Sequence, residues 1–129
     1  MSEHGERDNE LPRGYLRACL LLLLAESPAH GYELLTQVSE LGLPRPDAGT
    51  VYRTLRTLER EGLVESWWAP AVAGPARRPY RPTAAGTRSL EDVTAGVAQT
   101  HQSLSAYLRR HRDLGRPRRQ PPLTLSSAS

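Results

Sequence analysis

The chain has 129 residues, a formal net charge of +3 and a hydrophobic share of 38%, enough for one domain with a modest core and too little for two. Its one cysteine, Cys19, excludes an internal disulfide and fits a reducing compartment. All 17 basic residues are arginine, with no lysine, so every permanent side-chain cation is a planar guanidinium.

The small net charge conceals an uneven distribution. Residues 1–10 hold Glu3, Glu6, Asp8 and Glu10 against Arg7, whereas residues 109–119 hold six arginines against Asp113. Residues 1–10 read as a frayed acidic arm. A first helix is expected over residues 12–26, stopped by Ser27-Pro28. Residues 20–24 are apolar all round, which predicts burial on more than one side and points to a second subunit covering Leu20 and Leu23. The apolar run 18–25 is far short of the ~20 residues a membrane helix needs, and the acidic flank before it is wrong for a signal peptide. A cytoplasmic protein without membrane contact is expected.

A second helix is predicted over residues 31–41, with Leu34, Leu35, Val38 and Leu41 on one face and Glu33, Gln37 and Glu40 on the other. Gly42 supplies the C-cap and Pro44-Arg45-Pro46 stiffens the connection. Asp47 then caps a third helix through the free N–H groups of its first turn. In that helix Val51, Leu55, Leu58 and Gly62 follow the spacing of a core face. The opposite face carries Gly49, Arg53, Arg56, Thr57 and Arg60, with Thr50 at its edge.

Residues 63–68 read as a strand, 69–76 as a Pro- and Gly-containing loop and 77–82 as a returning strand. Trp67 and Trp68 alternate on the first strand and so point to opposite faces, one expected on the core and the other exposed or lining a ligand site. Thr83 caps a fourth helix running to about residue 112. There Leu90, Val97 and Leu104 repeat every seven residues, as do Val93, Thr100 and Tyr107. So short a heptad pattern predicts packing on another helix of this chain or of its copy. Residues 115–129 form a basic, then Ser-rich tail too poor in apolar groups to pack.

Helix, tight turn, helix, then a basic hairpin is the order of a winged helix-turn-helix, mainly α with a small β-hairpin, followed by a C-terminal dimerisation helix. The domains are expected at 11–82 and 83–114. Such a unit presents its second helix to the DNA major groove and its hairpin to the flanking backbone. Arg53 and Arg56 are the sharpest candidates for reading bases, since a guanidinium pairs with guanine O6 and N7 for about 1–3 kcal/mol of discrimination. Gly49 lets backbone approach a phosphate at the positive helix end. Arg77, Arg78, Tyr80 and Arg81 place a basic patch on the wing.

Four blocks carry a family resemblance: His30-Gly31-Tyr32-Glu33-Leu34, Gly49-Thr50-Val51-Tyr52-Arg53-Thr54-Leu55, Leu58-Glu59-Arg60-Glu61-Gly62-Leu63-Val64, and Arg77-Arg78-Pro79-Tyr80-Arg81-Pro82-Thr83-Ala84-Ala85-Gly86. In order and spacing, over residues 11–86, they resemble PadR-type transcriptional regulators. The resemblance implies operator contacts from Tyr32, Gly49, Thr50, Tyr52 and Arg53, with Arg78 and Tyr80 in the wing. It also implies a homodimer built from the first and C-terminal helices, and a repressor relieved by a small molecule bound near the dimer interface. The single fourth helix suits the shorter branch of that family. Pro79 and Pro82 depart from its pattern. Proline cannot donate to a ladder, so the second wing strand is expected to be short and edge-like.

Enzymatic readings find little support. His4, His30, His101 and His111 have no metal-ligand spacing with cysteine or carboxylates, and no cofactor is expected. His111-Arg112-Asp113 spells a kinase tripeptide without the Gly-rich loop, strand lysine or later asparagine that kinase chemistry requires. Two non-catalytic alternatives share the fold: a winged-helix module that binds protein and no DNA, and a MarR-like ligand-responsive regulator.

Overall fold

The computed structural model describes residues 14–44, 46–71 and 73–116. The acidic arm, the first residues of the expected first helix, Arg45 and the tail from residue 117 lie outside the described residues. The elements run α1 (Tyr15–Glu26), β1 (Ala29–His30), α2 (Gly31–Gln37) with a 3-10 turn (Val38–Leu41), α3 (Ala48–Arg60), β2 (Val64–Ser66), β3 (Pro79–Pro82) and α4 (Ala84–Asp113). They divide into two units, Met1–Ala95 and Gly96–Ser129.

The first unit is organised around α1. Leu20, Leu21, Leu24, Leu34, Val38, Val51, Leu55 and Leu58 are fully buried together, with Val64 and Tyr80 contributed by the sheet. This corrects the expected role of Leu20 and Leu23. They are 0% and 8% exposed against their own chain, because α2, α3, β3 and the 3-10 turn already surround α1. Leu22 is the one leucine of α1 left on the surface. Leu90 likewise leans on the core of its own chain.

Local chemistry sets the helix ends. Asp47 accepts the Thr50 N–H at 3.3 Å at the start of α3, as an N-cap should. At the other end the Leu63 N–H reaches the Leu58 carbonyl at 2.9 Å and the Gly62 N–H reaches that of Glu59 at 3.0 Å. With Gly62 at φ +79° this is a Schellman stop. Gly62 is therefore an exposed cap and not the fourth core position that spacing suggested. Thr83 caps α4 by accepting the Gly86 N–H at 3.1 Å on its hydroxyl.

The sheet differs from the expected hairpin in having three strands, in the order β1-β3-β2. Two residues after Pro28 suffice for β1, which pairs Ala29 with Tyr80 and His30 with Pro79. The second wing strand is thus central, not edge-like. It accommodates its prolines because they stand first and last in β3, where a missing N–H costs least. The register of Val64 with Pro82 and Ser66 with Tyr80 continues to a bridge between Ala69 and Arg77. In between, the Trp67 N–H donates to the Pro79 carbonyl at 3.2 Å, but proline has no N–H to return, and β2 ends at Ser66.

In the second unit α4 continues to Asp113. Val97, Leu104, Tyr107 and Leu108 are exposed along it, Tyr107 at 67%.

Candidate nucleic-acid interface

The sharp division of α3 builds the site. With Val51, Leu55 and Leu58 turned inward, the 3.6-residue period leaves Arg53, Arg56 and Arg60 exposed on the far side. Gly49 and Thr50 lie at its N-terminal edge, half-buried. Arg53 Nη2 donates to Thr50 Oγ1 at 3.2 Å, and the Thr50 hydroxyl donates to Asp47 Oδ1. These bonds from Thr50, foremost that of its hydroxyl, hold the Asp47 carboxyl below the usual carboxylate value. Asp47 is therefore a firm anion beside the helix start.

The ring of Tyr52 packs against Gly31 at the start of α2, where any Cβ would collide with it. Tyr32, one residue on, is 66% exposed. Between α2, α3 and the wing runs an open groove of about 530 Å³ lined by Tyr32, Tyr52, Arg56, Trp68, Arg77 and Arg78, among others. The helix face, the N-terminal end of α2 and the wing thus meet on one surface.

Each wing arginine is held by a side-chain partner. Arg77 Nη1 lies 2.8 Å from His30 Nε2, and the backbone N–H of His30 donates to Glu33 Oε1 at 3.0 Å. Arg78 Nε donates to Ser66 Oγ at 2.8 Å and its Nη2 lies 3.5 Å from Glu59 Oε2. Arg81 Nε donates to Glu65 Oε2 at 2.8 Å. Glu59 and Ser66 are separated from Arg78 in sequence, and no local pattern linked either to it; the packing of α3 beside β2 and the pairing of β2 with β3 bring them together. His30 was legible only as part of a motif.

Two expected site residues stand elsewhere. Tyr80 is 5% exposed and belongs to the core; burial pushes its phenol above the ordinary value, with Arg78 opposing. From the core it still contributes to the floor of the groove. The tryptophans do point to opposite sides of the hairpin, as strand alternation requires, but neither joins the core cluster. Trp67 lies under the Arg81 guanidinium at 4.8 Å on the outer side. Trp68, 66% exposed, shares its side with Tyr80 but stands beyond the core's rim, with Arg78 over its ring at 5.5 Å. Only Trp68 lines the groove.

The family model for the transcriptional regulator PadR-like family matches residues 20–92, which takes in the second half of α1, the helix-turn-helix, the wing and the start of α4. The chain belongs to the PadR-like family. It is 39% identical over 83 residues to Transcriptional regulator Rv3488 of Mycobacterium tuberculosis, covering 64% of this chain and 76% of that one. Among solved structures it resembles a PadR family transcriptional regulator from Eggerthella lenta (34% identity, TM-score 0.63, 74% of this chain and 83% of that one). It also resembles a PadR-like transcriptional regulator from Bacillus cereus (26% identity, TM-score 0.66, 74% and 93%). As a PadR-like protein it is a transcription regulator and not an enzyme. Among the described residues no helix is long and apolar enough to cross a membrane.

Proposed function

We propose that this PadR-like protein is a cytoplasmic, homodimeric repressor that binds a pseudo-palindromic operator in a sequence-specific way and is released by a small molecule. The observation that carries the reading is the exposed arginine face of α3, bordered by Tyr32 and the wing arginines around one groove. In this reading residues 11–82 bind DNA, with Arg53 and Arg56 at base edges. Tyr32, Gly49, Thr50 and Tyr52 approach the backbone at the helix start, and Arg77 and Arg78 flank it from the wing. Dimer symmetry then sets half-sites about one helical turn apart, roughly 34–36 Å.

The dimer is assigned to residues 83–114, where Val93, Val97, Leu104 and Tyr107 share a heptad stripe that is largely exposed along α4. A row of large apolar side chains on a solvent-facing helix invites a partner helix. Trp68, rather than Trp67, is the candidate for effector contact because it borders the groove.

Fluorescence anisotropy against the protein's own upstream DNA, beside a scrambled duplex at two salt concentrations, tests the reading. Tighter binding to the native fragment at both salts is expected, and Arg53→Ala should abolish the preference. Equal, salt-sensitive binding to both duplexes would reduce the protein to a basic surface, and no binding at low salt would favour a protein-interaction module. A ligand that releases DNA should also change tryptophan emission.

A further inference from the structure

Two side-chain relays on this surface share one construction. At the start of α3 the chain runs from the Arg53 guanidinium to the Thr50 hydroxyl at 3.2 Å and on to the Asp47 carboxylate. At the base of the wing it runs from Arg78 Nε to the Ser66 hydroxyl at 2.8 Å and on to Glu59 Oε2 at 2.7 Å. In both, the hydroxyl accepts from the guanidinium and donates to the carboxylate, so its single proton is committed and the arginine's direction is set. A Cβ at Gly49 would come within 3.2 Å of both Arg53 Nη1 and Asp47 Oδ2, so the first relay closes over a position kept bare. The second is braced by the Trp68 ring beneath Arg78. Arg56, between the two on α3, makes no hydrogen bond or ion pair among the described residues, and Arg60 reaches only the Thr57 hydroxyl at 3.2 Å.

We infer that Asp47 and Glu59 are specificity-determining residues: each fixes one arginine, Arg53 or Arg78, through a bridging hydroxyl and withholds its charge from phosphate in general. The inference rests on the DNA-binding function proposed above. An unrestrained surface arginine is a counterion for any phosphate, and binding that follows the number of such cations carries no sequence information. A carboxylate on the same surface repels every duplex alike, while the pose it enforces helps only the sequence that matches. The two anions thus lower affinity for all DNA and widen the gap between right and wrong sites, which is how discrimination is gained by opposing the wrong partner.

Asp47→Asn and Glu59→Gln test this in the full-length protein. Each keeps an amide oxygen to accept the hydroxyl proton, asparagine caps a helix as well as aspartate, and only the charge is removed. Binding is measured on a duplex enriched from a random pool by the wild-type protein and on a scrambled duplex. Each variant should bind the scrambled duplex about fivefold tighter, the factor one unit charge at contact distance is worth in water. The salt dependence should steepen, and the selected-to-scrambled ratio should fall about tenfold, the scale of one lost base contact. Thermal midpoints should move by no more than about 2 °C. If the two charge-neutral variants weaken both duplexes alike, or leave the ratio unchanged, the carboxylates are structural and the inference is overturned while DNA reading stands. If the wild-type protein enriches no sequence at all, the proposed function has failed in its own control and the inference falls with it.

Discussion

Gly86→Ala should destabilise this protein although it replaces a poor helix former by the best one inside a helix. Helix propensity alone favours the alanine by roughly 1 kcal/mol. The backbone carbonyl of Leu63 occupies the position a Cβ at Gly86 would need. Unlike the end of a flexible side chain, that carbonyl cannot swing away. It accepts the Thr83 N–H at 3.0 Å, while the Thr83 hydroxyl donates to Gly62 at 2.6 Å and accepts from Gly86 at 3.1 Å. Pushing α4 off Leu63 therefore strains a whole hydrogen-bonded junction. Overpacking of this kind costs about 2 kcal/mol, and loosening two of the junction's bonds costs about 1 kcal/mol each. Set against the propensity gain, the net loss is about 3 kcal/mol. For a chain of this size that lowers the melting temperature by roughly 12 °C. Gly96, in the same helix, has nothing within 4 Å of where its Cβ would stand. There the same substitution should stabilise by about 0.5–1 kcal/mol. Circular-dichroism melts of both variants decide the matter. A Gly86→Ala protein that melts at or above wild type, or two shifts of the same sign, would refute the reasoning.

Leu55→Ala empties a fully buried site between α3 and α1 and should cost about 2–5 kcal/mol in urea unfolding; a loss under about 1 kcal/mol would mean the core collapses around it. Leu104→Asp with Tyr107→Asp places charges on the exposed apolar stripe of α4 and should yield monomers by sedimentation with an unchanged melting curve at its main transition; an unaltered dimer would assign the interface elsewhere. Asp47 gives a pH dependence of definite sign. Its carboxyl titrates below its ordinary value of 3.8 when folded, so its ionised form favours the folded state. That contribution is complete above the ordinary value and fades as pH falls through the lowered one. Asp47→Asn should therefore flatten the acid limb of the stability curve below about pH 4, and an unchanged limb would remove Asp47 from the account.

Much of the fold was readable because its determinants are local. The apolar spacing of Val51, Leu55 and Leu58, the Asp47 and Thr83 caps, and the Ser27-Pro28 stop each act within one or two turns of chain, and each stands where the pattern put it. The misreadings share the opposite property. β1 is two residues long and exists only because β3 lies beside it, so no periodicity could announce it. Gly62 fitted the core spacing but lay one residue past the last turn, where the left-handed cap overrides the face. Leu20 and Leu23 were given to a second subunit because an all-apolar helix looks excessive for a small domain. The surplus is absorbed by four neighbouring elements of the same chain, whose arrangement is a tertiary fact.

The candidate site divides along the same line. Its helix half, Arg53, Arg56, Gly49 and Thr50, follows from periodicity, and the resemblance added Tyr32 and Tyr52. Its wing half was legible as composition only. Four arginyl and aromatic residues at 77, 78, 80 and 81 read as a basic patch, yet each has a different fate in the structure. Arg77 meets His30, Arg78 meets Ser66 and Glu59, Tyr80 enters the core, and Arg81 meets Glu65 over Trp67. Strand alternation sorts three of them, since Arg78 and Tyr80 share the side of Trp68 while Arg81 faces outward over Trp67, and Arg77, beyond the end of β3, turns into the groove beside His30. A basic run in a hairpin is thus two populations of charge: Arg77 and Arg78 line the groove with Trp68 and Arg56 of α3, and Arg81 stands on the outer side with Trp67. For that reason Arg78→Ala should alter both duplex affinity and Trp68 emission in an anisotropy and fluorescence titration, whereas Arg81→Ala should leave Trp68 silent and change chiefly the Trp67 signal. A common response of both tryptophans to both variants would show that the hairpin does not keep its two sides apart.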